Sequence, residues 1–182
     1  NSPVGYYMEH LPYVDRVWFG EAFNPDSPPD FWLVEMSGIP FGLPGDLLQD
    51  PNLWRGMVFG MTNRASYMGR SPVGIWKLWD EFGIETAEML GWWEANCPVR
   101  TDHKQVLATV YRKKGKALVS MASWAPEAVS VKLNVDWKAL GLNPAKARLR
   151  APAVDQFQSE ARFAPGDAIP VEPKRGWMLV VE

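Results

Sequence analysis

Residues 13–64 read YVDRVWFGEAFNPDSPPDFWLVEMSGIPFGLPGDLLQDPNLWRGMVFGMTNR. The run Val14–Phe19 is short and mostly apolar, as a buried parallel strand is, and it ends in Gly20-Glu21. Ser27-Pro28-Pro29-Asp30 carries helix-start chemistry, with Ser27 as cap, Pro28 at the first helical position and Asp30 near the positive helix end. The predicted helix runs from Pro28 to Ser37 and stops at Gly38. Ile39–Gly45 (IPFGLPG) is then a shaped loop, and Trp54–Met61 reads as a second strand ending in Thr62-Asn63-Arg64. Strand, helix and strand make a β-α-β unit, whose ligand face is lined by polar residues just past the strand ends.

Before this stretch, Tyr6, Tyr7, Met8 and Leu11 read as the end of a helix leading into the first strand. After it, residues 73–93 return to helical spacing through Ile75, Leu78, Trp79 and Phe82, and again through Ile84, Ala87, Met89 and Leu90. Residues 95–103 are polar, contain Pro98 and precede a change of period, which marks a domain boundary. Beyond it, Val106–Tyr111 and Ala117–Ser123 flank Lys113-Lys114-Gly115-Lys116 as a hairpin, and Val129–Val135 alternates like a half-buried strand. Trp137–Gly141 reads as a helical turn. Further short strands are expected at 147–151, 156–161, 168–171 and 176–181, a spacing that argues for a small β-sandwich.

Composition narrows the function classes. The 182 residues allow one large or two small domains, and 47% hydrophobic with 22% charged residues is ordinary for a folded protein. A net charge of -2 gives no electrostatic reason for a nucleic-acid or anionic-membrane partner. No apolar run reaches the ~20 residues that span a bilayer. The chain starts at Asn1 without a visible signal peptide, which is expected of a processed or excised piece and leaves its compartment open. The single Cys97 excludes an internal disulfide and reads as a bystander thiol. Ten tryptophans stand out; their flat faces serve either sugar stacking or core packing.

Glu21 is the leading carboxylate: it follows a buried strand, beside Gly20 and near Trp18. Glycosidic cleavage uses two carboxyl groups, and a carboxyl beside aromatic surface tends toward the raised pKa of a general acid. Asp15 lies at the other end of the strand, roughly 20 Å away by strand rise, too far to pair with it. Glu35 and Asp46 flank the shaped loop, and Asn63 with Arg64 follows the second strand, where Arg64 is expected to hydrogen-bond hydroxyls or a carboxylate. Arg55 is expected to be an ion-pair partner, and Asp80-Glu81 a solvated helix face. His10 and His103 stand apart without metal-ligand spacing, and neither a phosphate-binding glycine loop nor a nucleophile elbow is present. No metal or cofactor is expected.

The segments VDRVWFGEAF, SGIPFGLPGDLL, WRGMVFGMTNR and IWKLWDEFGI together resemble the last part of a (β/α)8-barrel glycoside hydrolase related to glycoside hydrolase family 123, as found in large bacterial proteins. The tail from VLATVYRKKGKALVSMASW through VKLNVDWKALGL to GWMLVVE resembles the β-sandwich that follows many glycosidase barrels. The resemblance implies an α/β part, residues 1–98, forming the terminal portion of a (β/α)8 barrel, followed by an all-β antiparallel β-sandwich over residues 102–182. It implies hydrolysis of glycosidic bonds in oligo- or polysaccharides, a carbohydrate substrate, and an extracellular or periplasmic bacterial setting. A barrel takes ~250 residues, so the N-terminal barrel portion, with the adjacent Asp-Glu pair such families carry, is expected upstream in the same polypeptide. The fragment alone is then expected to be inactive, with Glu21 as its catalytic candidate and Trp18, Glu35, Asp46, Asn63 and Arg64 as substrate-binding residues. The alternative is a non-catalytic carbohydrate-binding or structural accessory module.

Overall fold

The hairpin read at residues 106–123 becomes the centre of a six-stranded sheet. The computed structural model describes residues 4–19, 24–47, 52–63 and 70–182, with the backbone alone for residues 4, 5, 18 and 19. The chain divides into two compact units, residues 1–72 and 73–182. The break at Pro72/Val73 precedes the boundary read at 98–102, and the helix after it belongs with the sheet unit.

In the first unit, Val4–Tyr13 is a 3-10 helix that leads to strand β1, Val17–Phe19. Helix α1, Pro29–Phe31, continues as a π-helical turn, Trp32–Met36. Ser27 does not cap it; the cap position is Pro28 and carries no side-chain bond. Ser37 turns back instead, its Oγ donating to Leu33 O at 2.6 Å and accepting from Ile39 N at 3.1 Å. Gly38 and Gly42 (φ 71° for each) then close the shaped loop in the left-handed region.

That loop hides a strand. Gly45–Leu47 is β2, parallel to β1 with Val17, Trp18 and Phe19 opposite Gly45, Asp46 and Leu47. A Cβ on Gly45 would sit 2.5 Å from Ser37 O, so the close approach of β2 to the π turn requires glycine. The expected second strand at 54–61 is instead helix α2, Leu53–Val58. Asn52 decides it, accepting Arg55 N on its side chain at 3.0 Å as an N-cap. The helix ends through Phe59 and Gly60 (φ 72°), and Thr62-Asn63 then runs parallel to β2, with Leu47 N donating to Thr62 O at 2.9 Å. The β-α-β pattern exists, but with β2 at Gly45–Leu47 and a third parallel segment at Asn63. Trp32 stacks on Phe59 (centroids 5.9 Å), and both Trp32 and Trp54 are fully buried with Met36, Leu53, Met57 and Met61.

The second unit opens with helix α3, Val73–Phe82, which Gly83 (φ 74°) terminates. The expected helical continuation through Leu90 is a 3-10 turn, Ile84–Thr86, and strand β3, Glu88–Leu90. β3 finds a ladder partner that helical spacing cannot show: it pairs antiparallel with β5, and Glu88 meets Arg112 across the edge. After β4, Val99–Thr101, the hairpin β5 (Val106–Lys113) and β6 (Lys116–Ser123) forms as read, turning at Gly115 (φ 71°). Val129–Val135 is two strands, β7 (Val129–Val131) and β8 (Leu133–Val135). They part at Lys132, whose N donates to Asp102 Oδ1 at 2.9 Å. Asp136 caps the helical turn α4, Trp137–Leu140.

The remaining strands are β9 (Leu149–Ala151), β10 (Ala161–Phe163), β11 (Ile169–Val171) and β12 (Gly176–Val181). β10 starts where the expected strand at 156–161 was to end, because residues 155–157 form a turn that the Val154–Gln158 bridge closes. One sheet has the order β10-β9-β12-β6-β5-β3; ribbons β11-β7 and β4-β8 face it. Val99, Val131, Ile169 and Val171 of the ribbons share one core with Val110, Val119, Met121 and Leu179 of the sheet. The other face of the sheet is buried as well, at Thr109, Leu118, Ser120 and Met178, and α3 packs there through Trp79 on Tyr111 and through Phe82 beneath Lys113 and Lys116. This double burial explains why α3 belongs to the sandwich unit. Among the described residues, no helix is long and apolar enough to cross a membrane.

Candidate functional site

Parallel pairing brings the carboxyl ends of three segments into one row. Phe19 is opposite Leu47, and Leu47 is bridged to Asn63. Polar residues that follow such ends face whatever the sheet binds. Glu21 and Arg64, the expected residues past the first and third ends, lie outside the described residues, and so does the side chain of Trp18, whose backbone pairs with Asp46.

Asn63 is 1% exposed, and its Nδ2 donates to Arg70 O at 2.9 Å, tying the end of the third segment to the chain beyond it. Asp46, one residue before the end of β2, accepts from Arg16 Nη1 at 2.7 Å. The arginine side of the pair is solvated and the carboxylate side is mostly buried, so the contact fixes where the carboxylate stands. Glu35 sits inside the π turn, and its Oε2 is buried with no hydrogen-bond partner among the described residues. A buried carboxylate oxygen without a partner is costly, and π turns recur at functional sites. Asp46 and Asn63 thus share the parallel row, and Glu35 stands on the helical layer between β1 and β2.

Among the described residues one charged side chain is buried. Arg55, 3% exposed on α2, pairs with Asp26 Oδ1 at 3.0 Å and donates to Pro25 O. Burial pushes its guanidinium pKa down, partly offset by Asp26. An arginine inside the apolar run LWRGMVF was the available signal, and the ion pair expected of it is present. Gly56 beside it has no room for a Cβ, which would lie 2.8 Å from Leu47 Cδ1 and 2.9 Å from Met61 O. Helix α2 therefore seats directly on β2. Arg70 lies over the Trp54 ring at 4.7 Å.

Buried helix-backed parallel segments followed by an antiparallel sandwich are the two parts that the comparisons find. The family model for the C-terminal domain of glycoside hydrolase 123 matches residues 71–182, and that for its TIM-barrel domain matches residues 1–66. The chain belongs to glycoside hydrolase family 123. No curated protein matches it. The family boundary, between residues 66 and 71, agrees with the structural break at Pro72.

In this glycoside hydrolase 123 chain the remaining sequence candidates are peripheral. Asp15, Asp80 and Glu81 are exposed. Cys97 is buried, its Sγ within 3.4 Å of Leu90 O and 3.3 Å of Val99 O, and burial pushes its thiol pKa up. Such a thiol is a poor nucleophile. Among the described residues no group of three or more His, Cys, Asp or Glu is placed to hold a metal.

Proposed function

We propose that this chain supplies the closing segments of a glycoside hydrolase barrel together with its bracing sandwich, in an enzyme that cleaves glycosidic bonds of oligo- or polysaccharides. The observation that carries this reading is the row Phe19, Leu47, Asn63: three parallel segments with their carboxyl ends together, inside the part matched by the TIM-barrel model. That match covers residues 1–66, far short of the ~250 residues of a barrel. The other strands and the principal carboxylates accordingly belong to an upstream portion of the same polypeptide. Tyr6, Tyr7, Met8 and Tyr13 support this, because they leave exposed the apolar surface that preceding barrel elements would cover.

In this reading Glu21, two residues past the end of β1, is the catalytic candidate of the chain. Trp18, Glu35, Asn63 and Arg64 line the sugar pocket, and Asp46 positions the β2 end through Arg16. An enzyme for extended glycans works outside the bacterial cytoplasm, extracellularly or in the periplasm. The test compares two proteins on aryl glycosides: the 182-residue chain and the product of the whole open reading frame. The chain alone is expected to be inactive and the long product active. In the long product Glu21→Gln is expected to lower kcat at least ~100-fold. Turnover by the short chain would overturn the division of labour, and an unchanged kcat in Glu21→Gln would remove Glu21 from the mechanism.

A second reading, a carbohydrate-binding module without turnover, is favoured by one observation: the sandwich carries a groove of its own.

A further inference from the structure

A cavity of about 650 Å³ lies on the sandwich, between the loop at 153–160, strand β11 and the start of β12. Its volume is that of a small-ligand site. Four features show a shaped recess rather than a gap between loops. Gln158 pins the loop to β12: its Nε2 donates to Pro152 O at 2.8 Å and Met178 O at 3.0 Å, while its Oε1 accepts from Met178 N at 2.8 Å. Val154 and Gln158 add an antiparallel bridge, and Phe157 is buried beneath. Gly176 lines the recess, and there β12 runs so close to β6 that a Cβ would fall 1.7 Å from Met121 O, which fixes the strand beneath the loop. Trp177 stands at the wall, half-buried, its Nε1 donating to Pro170 O at 2.6 Å and Phe163 packed edge-on at 5.7 Å.

Backbone strain marks the same place. Among the described residues, two non-glycine residues have φ in the left-handed region: Gln156 (64°) on the loop and Lys174 (60°) beside Arg175 on the opposite rim. Strain of this kind persists where the surrounding structure holds it, and it gathers at ligand sites. The rigid loop presents exposed Asp155, Gln156 and Glu160, and the opposite rim presents Glu172 and Arg175.

These groups select a ligand class. Glu160 is paired with Arg162 at 3.1 Å, which leaves Asp155 and Glu172 with Lys174 and Arg175 around a rim that is close to charge-balanced and favours a neutral ligand. The open polar rim disfavours an apolar ligand, and no three acids converge as a metal site requires. Planar amide, carboxylate and guanidinium groups around a fixed indole suit neighbouring hydroxyls of a pyranose lying against the ring. The geometry points to a second carbohydrate-binding site, on the sandwich, that holds a neutral sugar unit of a glycan through Trp177, Gln156 and Glu172. The choice of a glycan over other polyols rests on the glycoside hydrolase reading; the recess itself does not.

The test is a 1H–15N NMR titration of the 182-residue chain with N,N′-diacetylchitobiose, cellobiose and lactose, and separately with calcium chloride. At least one saccharide is expected to shift the Trp177 indole signal and amides within 155–160 and 172–177. Glu172→Ala and, independently, Gln156→Ala are each expected to weaken that saccharide about tenfold, as loss of one charge-assisted or strained-loop contact should. Both side chains are exposed, so folding survives in at least one variant. Absence of shifts with all three sugars, shifts confined to residues 1–72, or the same shifts produced by calcium would overturn the proposal. Because the readout is binding at the sandwich, its failure leaves the hydrolase reading standing, and an inactive long product would leave this site standing.

Discussion

The two units solve the burial problem in opposite ways. In the sandwich unit, a central strand is buried on both faces and its interior is almost wholly apolar, with Thr109, Ser120 and Ser123 the buried polar residues among those described. The N-terminal unit is smaller, yet it buries Ser37, Asn52, Arg55, Thr62 and Asn63. Each of these stands at a turn, a cap, an ion pair or a strand end. Polar interiors cost stability unless every group is partnered, so the comparison separates a part held by apolar packing from a part held by polar partners. Substitutions should therefore act through packing in one unit and through polar partners in the other.

The largest effect is expected at Gly176. Adding a methyl group there drives it into Met121 O at 1.7 Å, across the ladder that joins β12 to β6. Gly176→Ala should cost about 3 kcal/mol or more, read as a lowered urea midpoint. A near-neutral result would mean that β12 can shift, and that the sandwich is less rigid than its double burial implies. Leu179→Ala, in the shared core, is expected to cost about 3 kcal/mol by cavity formation.

In the N-terminal unit the counterpart is Arg55. Its Asp26 partner is half-exposed and can recover water, so Arg55→Ala is expected near 2 kcal/mol rather than the ~3–5 of a fully buried pair. Arg55→Met should recover much of the loss, because the stem packs among apolar neighbours. If Met is as damaging as Ala, the ion pair itself, not packing, fixes α2 on β2.

What could be read in the sequence follows the same division. β5, β6 and β12 were legible because apolar, β-branched runs of six to eight residues bounded by turn residues are a signal in themselves. The parallel unit was legible in kind but not in place. An eight-residue apolar run such as WRGMVFGM fits a buried strand or a buried helix equally, and Asn52, outside the run, settles it by capping. β2 is three residues long and follows two glycines and two prolines, so no periodicity can show it; only its partner β1 does. β3 was hidden similarly, since Met89 and Leu90 suit a helix until β5 offers them a ladder. Of the residues singled out, Asn63 was named from the strand-end rule and Asp46 from its place beside the shaped loop, and the structure puts both on the parallel row. Arg16 and Asp26 were missed because their roles depend on contacts 30 and 29 residues away. The groove on the sandwich was missed because its loop is held by one glutamine, through contacts 20 residues away.

The smallest effect tests the apolar interior by its one thiol. Cys97 is buried against backbone carbonyls, and its pKa is raised above the ordinary 9.0 by loss of solvation, with Val99 and Arg100 opposing weakly. The folded state then binds the thiol proton more tightly than the unfolded state. Its contribution is fully present below the unfolded value of 9.0 and is lost as pH rises from there through the raised folded value. Urea midpoints should therefore fall more steeply above pH 9 in the natural chain than in Cys97→Ala. Cys97→Ala itself should cost only about 1 kcal/mol near pH 7, for a small cavity. A thiol reagent should reach Cys97 only when the unit opens, at a rate that increases with urea. Fast labelling of the folded chain would show that the sandwich breathes near β4, and equal pH slopes would show that water reaches the sulfur. Either result would blur the contrast between a sealed unit and a polar one.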